Sequence, residues 1–200
     1  MRSQPSQPPP HLTKTTFHGL ELLSAPGRVF TPHASTEKLV DAALERIDGG
    51  PLRVADVGTG SGAIAVALAV ERPQLEVWAT DTNEDAVELA EANAALHGVA
   101  DRVHVLRGNL LDTVPETVDL VVANLPYLPA TERDSRYDGE PDDAIYAPGD
   151  GLDPYRGLLN ACRDGKLDTG GTVLIQYHRE PLAADCWQLE DLRAQLENAA

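Results

Sequence analysis

"VADVGTGSGAIA", residues 54–65, decides the fold of this chain. A short apolar run reads as a buried strand and stops on Gly58, Gly60 and Gly62. The apolar stretch that follows, "AIAVALAVE", reads as a helix. Three glycines in five residues weaken a fold unless something requires them. Glycine lets the chain turn tightly and lets bare backbone approach a ligand. The N-terminus of the helix behind such a turn favours a negative group, such as a carboxylate.

Outward from this unit the chain alternates. "LEVWATD" reads as a second strand. "TNEDAVELAEANAALHG" reads as a helix, with Thr82 and Asp85 in a capping-box pattern and Gly98 as its stop. "RVHVLRG", "VDLVVAN" and "GGTVLIQY" supply three more strands, and "LDPYRGLLNACRDGKL" a helix. "LAADCWQLEDLRAQLENAA" reads as a terminal helix whose stripe of Trp187, Leu189, Leu192 and Leu196 serves core or dimer packing. Upstream, "STEKLVDAALERI" is a helix with Ser35 as its cap, and "FHGLELLSAPGRVFTP" an irregular lead-in. "ERDSRYDGEPDDAIYAPGDG" is a long acidic loop. The alternation predicts an α/β fold: a mostly parallel sheet with helices on both faces. Residues 1–11 are rich in Pro, Gln and Ser and are expected to be disordered. Residues 12–200 then form one domain.

The charge balance is unusual. Sixteen Lys and Arg stand against thirty-two Asp and Glu, a formal net charge of −16. Such a surface repels phosphate backbones and anionic membranes at long range, so nucleic acid is disfavoured as a partner. No segment has the length or apolarity of a membrane span. The first residues carry no apolar leader run, and Cys162 and Cys186 form no metal or redox spacing. A cytoplasmic protein with free thiols is expected.

The glycine loop invites a nucleotide-like ligand. Gly58, Thr59, Gly60, Ser61 and Gly62 are cofactor-binding candidates. Asp81 ends the next strand, placed to accept both hydroxyls of a ribose. The pattern fits S-adenosylmethionine and, less well, NAD. Asp56 precedes the loop and either orients its backbone or meets a cofactor amine. After the third strand, Asn109 offers an amide to the edge of a base and Leu110 an apolar wall to its face. Thr59 and Ser61 have no visible base partner and do not read as nucleophiles. Pro32, Thr36 and Glu37 lie at a helix start, as a lid over the site or as capping residues. His33 and His178 read as packed or solvated side chains rather than ligands.

The fourth strand ends in "ANLPY", and in open α/β sheets such ends face the ligand crevice. Asn124 then stands beside the cofactor, which counts sharply against NAD because this tetrapeptide has no task in hydride transfer. A planar NH2 group is a poor nucleophile, because its lone pair is delocalised. Two acceptors aimed at its N–H bonds favour the pyramidal geometry that attack requires. Asn124 Oδ1 supplies one and the Leu125 carbonyl the other, with Pro126 restricting the backbone at Leu125 to extended values. Tyr127 stacks on the flat face of the acceptor. Asn124, Leu125, Pro126 and Tyr127 are therefore the catalytic candidates, and Asn124 also borders the cofactor.

With these motifs in view, the chain resembles the class I S-adenosylmethionine-dependent methyltransferases. Within them it is similar to the protein-(glutamine-N5) methyltransferases that modify release factors. The resemblance runs from roughly Pro26 to Ile175. It rests on Pro32, Thr36 and Glu37, on "VADVGTGSGAIAVALA", and on Gly151, Leu152, Asp153, Tyr155 and Arg156. It implies a Rossmann-like fold and S-adenosylmethionine as cofactor. Leu125 replaces the first proline of the family's usual Asn-Pro-Pro-Tyr, Asn109 replaces an Asp, and "LIQYHREP" replaces a more acidic strand end. The usual C-terminal hairpin is expected to be lacking, leaving a sheet edge that a second chain covers in a homodimer. No stretch matches the family's N-terminal helical domain. The acceptor implied is a protein glutamine in a release factor, or a small molecule of similar geometry. An adenine N6-methyltransferase of RNA or DNA and a non-catalytic cofactor-binding protein are the alternatives.

Overall fold

The computed structural model describes residues 12–47, 52–178, 180–185 and 192–194. Two short strands, β1 (Thr13–Phe17) and β2 (Leu20–Ser24), form an antiparallel hairpin. They are followed by α1 (Ala34–Leu44), β3 (Leu52–Val57), α2 (Ala63–Glu71), β4 (Leu75–Asp81), α3 (Glu84–Leu96), β5 (Val103–Arg107) and β6 (Val118–Ala123). Next come β7 (Leu128–Pro129), a short α4 (Asp142–Ile145), β8 (Tyr146–Ala147) and α5 (Asp153–Ala161). The last strands are β9 (Leu167–Tyr177) and β10 (Glu180–Asp185).

The main sheet runs β10-β9-β6-β3-β4-β5. All neighbours are parallel except β10, which is antiparallel to β9. The chain winds outward from β3 to β5, then returns to place β6 on the other side of β3. That reversal opens a crevice at the carboxyl ends of β3 and β6, where ligands bind in such sheets.

Strand residues alternate between two apolar layers, as a pleated strand dictates. Val54, Val77, Leu120, Val122 and Leu174 pack with α1 and α2 on one face. Ala55, Trp78, Val121, Val173 and Ile175 pack with Tyr155, Leu158 and Leu159 of α5 on the other. Because both faces are covered, β6 reads "VDLVVA", almost continuously apolar.

The fold class read from the sequence holds, and several details differ. The lead-in "FHGLELL" is not irregular. Consecutive positive φ at His18 (48°) and Gly19 (75°) turn it into the β1–β2 hairpin. His at the first turn position hid that signal. Helix α1 begins at Ala34, so its cap is His33 rather than Ser35. Helix α3 is capped by Asn83 rather than Thr82; the Asn83 side chain accepts from the Asp85 N–H at 2.9 Å. The acidic loop contains a 3₁₀ turn over Ser135–Tyr137 and α4, and β8 within it pairs with β7.

The C-terminal end differs most. An antiparallel hairpin is present: Leu182 sits opposite Ile175 and Ala184 opposite Val173. Residues 182–185, expected to be helical, therefore form strand. An open edge beside β9 would present unpaired backbone groups, and β10 covers it. The edge expected to need a second chain is thus occupied from within. Leu192 is buried in the layer that holds α5. Trp187, Leu189 and Leu196 of the expected stripe lie outside the described residues, as do Cys186 and residues 1–11. Among the described residues no helix is long and apolar enough to cross a membrane.

Candidate active site

The glycine loop leaves β3 with φ of 71° at Gly58, 55° at Gly60 and 77° at Gly62, conformations that strain any other residue type. The N–H groups of Gly58 and Thr59 both donate to the Thr80 carbonyl at 2.9 Å, fastening the loop to the end of β4. Asp81 Oδ2 accepts from Gly60 N–H and Oδ1 from Asn83 N–H, each at 2.9 Å. Burial raises the pKa of Asp81, and the backbone donors of Asn83, Gly60 and Thr82 pull it back. The three backbone donors leave the carboxylate capacity for a further bond from a ligand hydroxyl.

Asp56 and Gly62 do not line the cleft. Asp56 is fully buried behind the loop; its Oδ2 accepts from the Thr59 hydroxyl at 2.6 Å and from Ala65 N–H at 3.1 Å. It therefore orients loop backbone, and the cofactor-contact reading is corrected. Its Oδ1 has no partner, and burial pushes its pKa up to about 7, against the two donors. Gly62 caps α2 and backs onto α3, where an added Cβ would stand 3.0 Å from Ala90 Cα. It serves helix packing rather than ligand contact.

The other predicted residues line one cleft of about 560 Å³: Gly58, Thr59, Gly60, Ser61, Asp81, Asn109 and Leu110 at one end, Asn124, Leu125, Pro126 and Tyr127 at the other. Leu110 sits at φ 50°, an uncommon value for a side-chain-bearing residue, and its carbonyl accepts from the Thr80 hydroxyl at 2.8 Å. The two ends touch through Leu125, whose Cδ2 would lie 2.7 Å from a Cβ at Gly58.

At the second end, Asn124 follows β6 directly. Its Nδ2 donates to Thr36 Oγ1 at 3.3 Å, so Oδ1 is not consumed by that bond. The Leu125 carbonyl accepts from the Tyr155 hydroxyl at 3.3 Å, and the same hydroxyl meets the Gln176 carbonyl. Tyr155 is fully buried, which raises its pKa well above the usual phenol value and keeps it a donor. Tyr127 donates to the His178 carbonyl at 2.8 Å, and its ring lies 5.4 Å from Tyr177. Gly151, at φ 87°, lets the turn before α5 press on this tetrapeptide; a Cβ there would sit 2.8 Å from the Tyr127 carbonyl carbon. The bidentate Arg156–Asp150 pair and the Asp150 bond to Leu152 N–H hold that turn. Pro32 and His33 also line the cleft, His33 stacked on Phe30 at 5.1 Å. Glu37 does not; it accepts from His18 N–H at 2.9 Å and supports the hairpin turn.

Sequence reasoning missed four supports. Thr80 holds both the glycine loop and Leu110. Tyr155 and Gln176 stand behind the tetrapeptide. Asn93 binds the Leu23 N–H and carbonyl and the Ser61 carbonyl, joining the β1–β2 hairpin to the glycine loop. An amide inside the alanine-rich "EANAAL" was the available signal for Asn93, and the Gly151–Arg156 match singled out Tyr155 without its role; Thr80 and Gln176 act through long-range contacts with no local pattern.

The family profile described as Methyltransferase small domain matches residues 33–136. The release factor glutamine methyltransferase of Deinococcus radiodurans is 39% identical over 191 residues, covering 90% of this chain and 68% of the relative. The chain belongs to this methyltransferase family. The release factor glutamine methyltransferase of Xylella fastidiosa is 42% identical over 153 residues, 73% of this chain. That alignment spans 54% of the relative, so the chain covers about half its length. Among solved structures, the ribosomal protein L11 methylase of Lactobacillus delbrueckii aligns with TM-score 0.56 and 29% identity, over 86% of this chain and 72% of the other. As a member of the release factor glutamine methyltransferase family, the chain has the Rossmann-like fold that its sheet order displays.

Proposed function

We propose that this protein transfers a methyl group from S-adenosylmethionine to the side-chain amide nitrogen of a glutamine in a protein of the release factor class. The observation that carries the reading is the position of Asn124. It opens into the same cleft as the glycine loop and Asp81, with its amide nitrogen engaged by Thr36.

The cleft fits this cofactor on its own evidence. A Cβ at Gly58 would collide with the Leu125 side chain, Asp81 keeps capacity for a ligand hydroxyl, and Asn109 and Leu110 face the same space. Gly58, Gly60 and Asp81 would hold the amino-acid and ribose parts, and Asn109 and Leu110 the base. When bound, S-adenosylmethionine supplies an electrophilic methyl on a sulfonium.

The chain's own residues then act on the acceptor. Asn124 Oδ1 and the Leu125 carbonyl accept its two N–H bonds and orient its lone pair. Tyr127, tethered through its hydroxyl to the His178 carbonyl, presents its ring to the flat amide. Placement and fixed dipoles supply the acceleration, and no strong base is required. Leu125 in place of proline leaves this chemistry intact, because the acceptor atom belongs to the backbone.

A formal net charge of −16 supports a protein acceptor over a polyanionic one. Incubation of a purified release factor with enzyme and S-adenosylmethionine, followed by peptide mass spectrometry, tests the reading. One added methyl on a glutamine-bearing peptide is the expected result. Methylation of adenine in RNA or DNA and not of the release factor would replace the reading with the nucleic-acid alternative.

A further inference from the structure

Consecutive hydroxyls on the first turn of α1, Ser35 and Thr36, each face a carboxamide at the carboxyl end of a sheet strand. Asn124 Nδ2 donates to Thr36 Oγ1 at 3.3 Å, and Gln176 Nε2 lies 3.5 Å from Ser35 Oγ. Strands β6 and β9, which deliver the two amides, are parallel neighbours. Thr36 and Gln176 are each only 4% exposed, and all four side chains border the cleft.

A carboxamide is nearly symmetric in shape and opposite in polarity at its two ends. Chemistry at Asn124 needs the oxygen toward the acceptor. A rotated side chain would set NH2 against NH2 and hold nothing. The side-chain partner of the Asn124 amide among the described residues is the Thr36 hydroxyl, which faces Nδ2 and leaves Oδ1 outside that bond.

We propose that Thr36 is a positioning residue: its Oγ1 accepts from Asn124 Nδ2 and thereby keeps Asn124 Oδ1 directed at the methyl acceptor. The donors and acceptors then form one polarised chain, acceptor N–H to Asn124 Oδ1 and Asn124 Nδ2–H to Thr36 Oγ1. Each bond in such a chain strengthens the next. Carrying Thr36 on a helix that packs against the sheet ties the orientation of the reactive amide to the seating of α1. The inference rests on the role given to Asn124 under the proposed function.

The test uses Thr36→Val, nearly isosteric, and Thr36→Ser, which keeps the hydroxyl. In ¹⁵N-labelled protein the Asn124 side-chain NH2 pair is assigned by its loss in Asn124→Ala. In Thr36→Val those resonances shift and exchange faster with water, while kcat on the release factor falls by roughly tenfold, the scale of a lost orienting contact. KM for the acceptor and affinity for S-adenosylhomocysteine stay near wild type. Thr36→Ser restores both the resonances and kcat. Wild-type NH2 signals and wild-type kcat in Thr36→Val overturn the inference, as does a loss that Thr36→Ser does not restore. Should valine prevent folding, Thr36→Ala carries the same readouts. If Asn124→Ala itself turns over normally, the role of Asn124 fails and this inference with it. If Asn124→Ala is inactive and Thr36→Val is unaffected, only the inference fails. If the wild-type enzyme leaves the release factor unmodified, the NH2 resonances still decide the hydrogen bond.

Discussion

The two ends of the cleft are built in different ways. The cofactor end is backbone: glycines at positive φ, N–H groups gathered on Thr80 and Asp81, and one buried carboxylate behind them. The acceptor end is a four-residue turn supported by side chains and backbone carbonyls from distant segments. The Thr36 and Tyr155 hydroxyls come from α1 and α5, and the Gln176 and His178 carbonyls from β9 and the turn after it. A site made of backbone tolerates changes nearby as long as its glycines remain. A site held by converging long-range contacts loses function when any one support moves. The first end should therefore govern affinity for the cofactor and the second turnover.

Asn124→Ala gives the sharpest separation. Removing one preorganised hydrogen-bonding group from a reacting centre typically costs about 100-fold in kcat. We expect a loss of that order, with S-adenosylhomocysteine binding by calorimetry nearly unchanged. Equal losses in both measurements would erase the distinction between the ends.

Gly151→Ala tests the support behind the acceptor turn. A side chain at φ 87° is strained, and its Cβ would collide with the Tyr127 carbonyl. We expect about 2 kcal/mol of lost stability in chemical denaturation, from strain of that kind, together with reduced turnover. Unchanged stability and turnover would mean that the turn yields freely and that its fit to Gly151 is incidental.

Asp81→Ala tests the other end. Losing a carboxylate that hydrogen-bonds ligand hydroxyls should weaken cofactor binding by about 1.5 kcal/mol, while kcat at saturating cofactor stays close to wild type. Because Asp81 also holds Gly60 N–H, part of that loss reflects a loosened loop. Asp81→Asn, which keeps one acceptor oxygen, should fall between the two.

The same contrast explains what could be read from the sequence. The cofactor end is contiguous: Gly58 to Gly62, then Asp81 one strand later, in a pattern whose local physics admits few alternatives. The alternation of apolar runs with helical periods likewise yielded the parallel sheet. Asn124 to Tyr127 were legible as a turn at a strand end. Their supports were not, because the partners of Asn124 and Leu125 lie 88 and 30 residues away. The β1–β2 hairpin escaped because His18 takes a turn position where Asn or Gly is the usual signal. Strand β10 escaped because "LAAD" favours a helix locally, and only the open edge of β9 converts it to strand.

The smallest effect concerns Asp56, the buried carboxylate behind the cofactor end. Its pKa is pushed up to about 7 by burial, so the folded state holds a proton that the unfolded chain releases near pH 4. Stability should therefore decline as pH rises through that window and level off above it. Asp119 beside Arg53, Asp142 beside Arg133 and Asp150 beside Arg156 act in the opposite sense. Their pKa values are lowered, so their contribution is present above about pH 4 and fades below it, for Asp150 toward about pH 2. The two trends place maximum stability on the acid side of neutrality. Relaxation around a buried charge reduces the penalty, and we expect a decline of about 1 kcal/mol between pH 5 and 7.5. General repulsion among the surface carboxylates is nearly complete by pH 5, so it adds little slope there. Asp56→Asn keeps an acceptor for Thr59 and Ala65 and removes the titration, and denaturation at several pH values should show the decline flattened. A slope that survives in Asp56→Asn would belong to Asp81, the other carboxylate whose pKa burial raises, and the Asp56 acid would have to be ionised throughout.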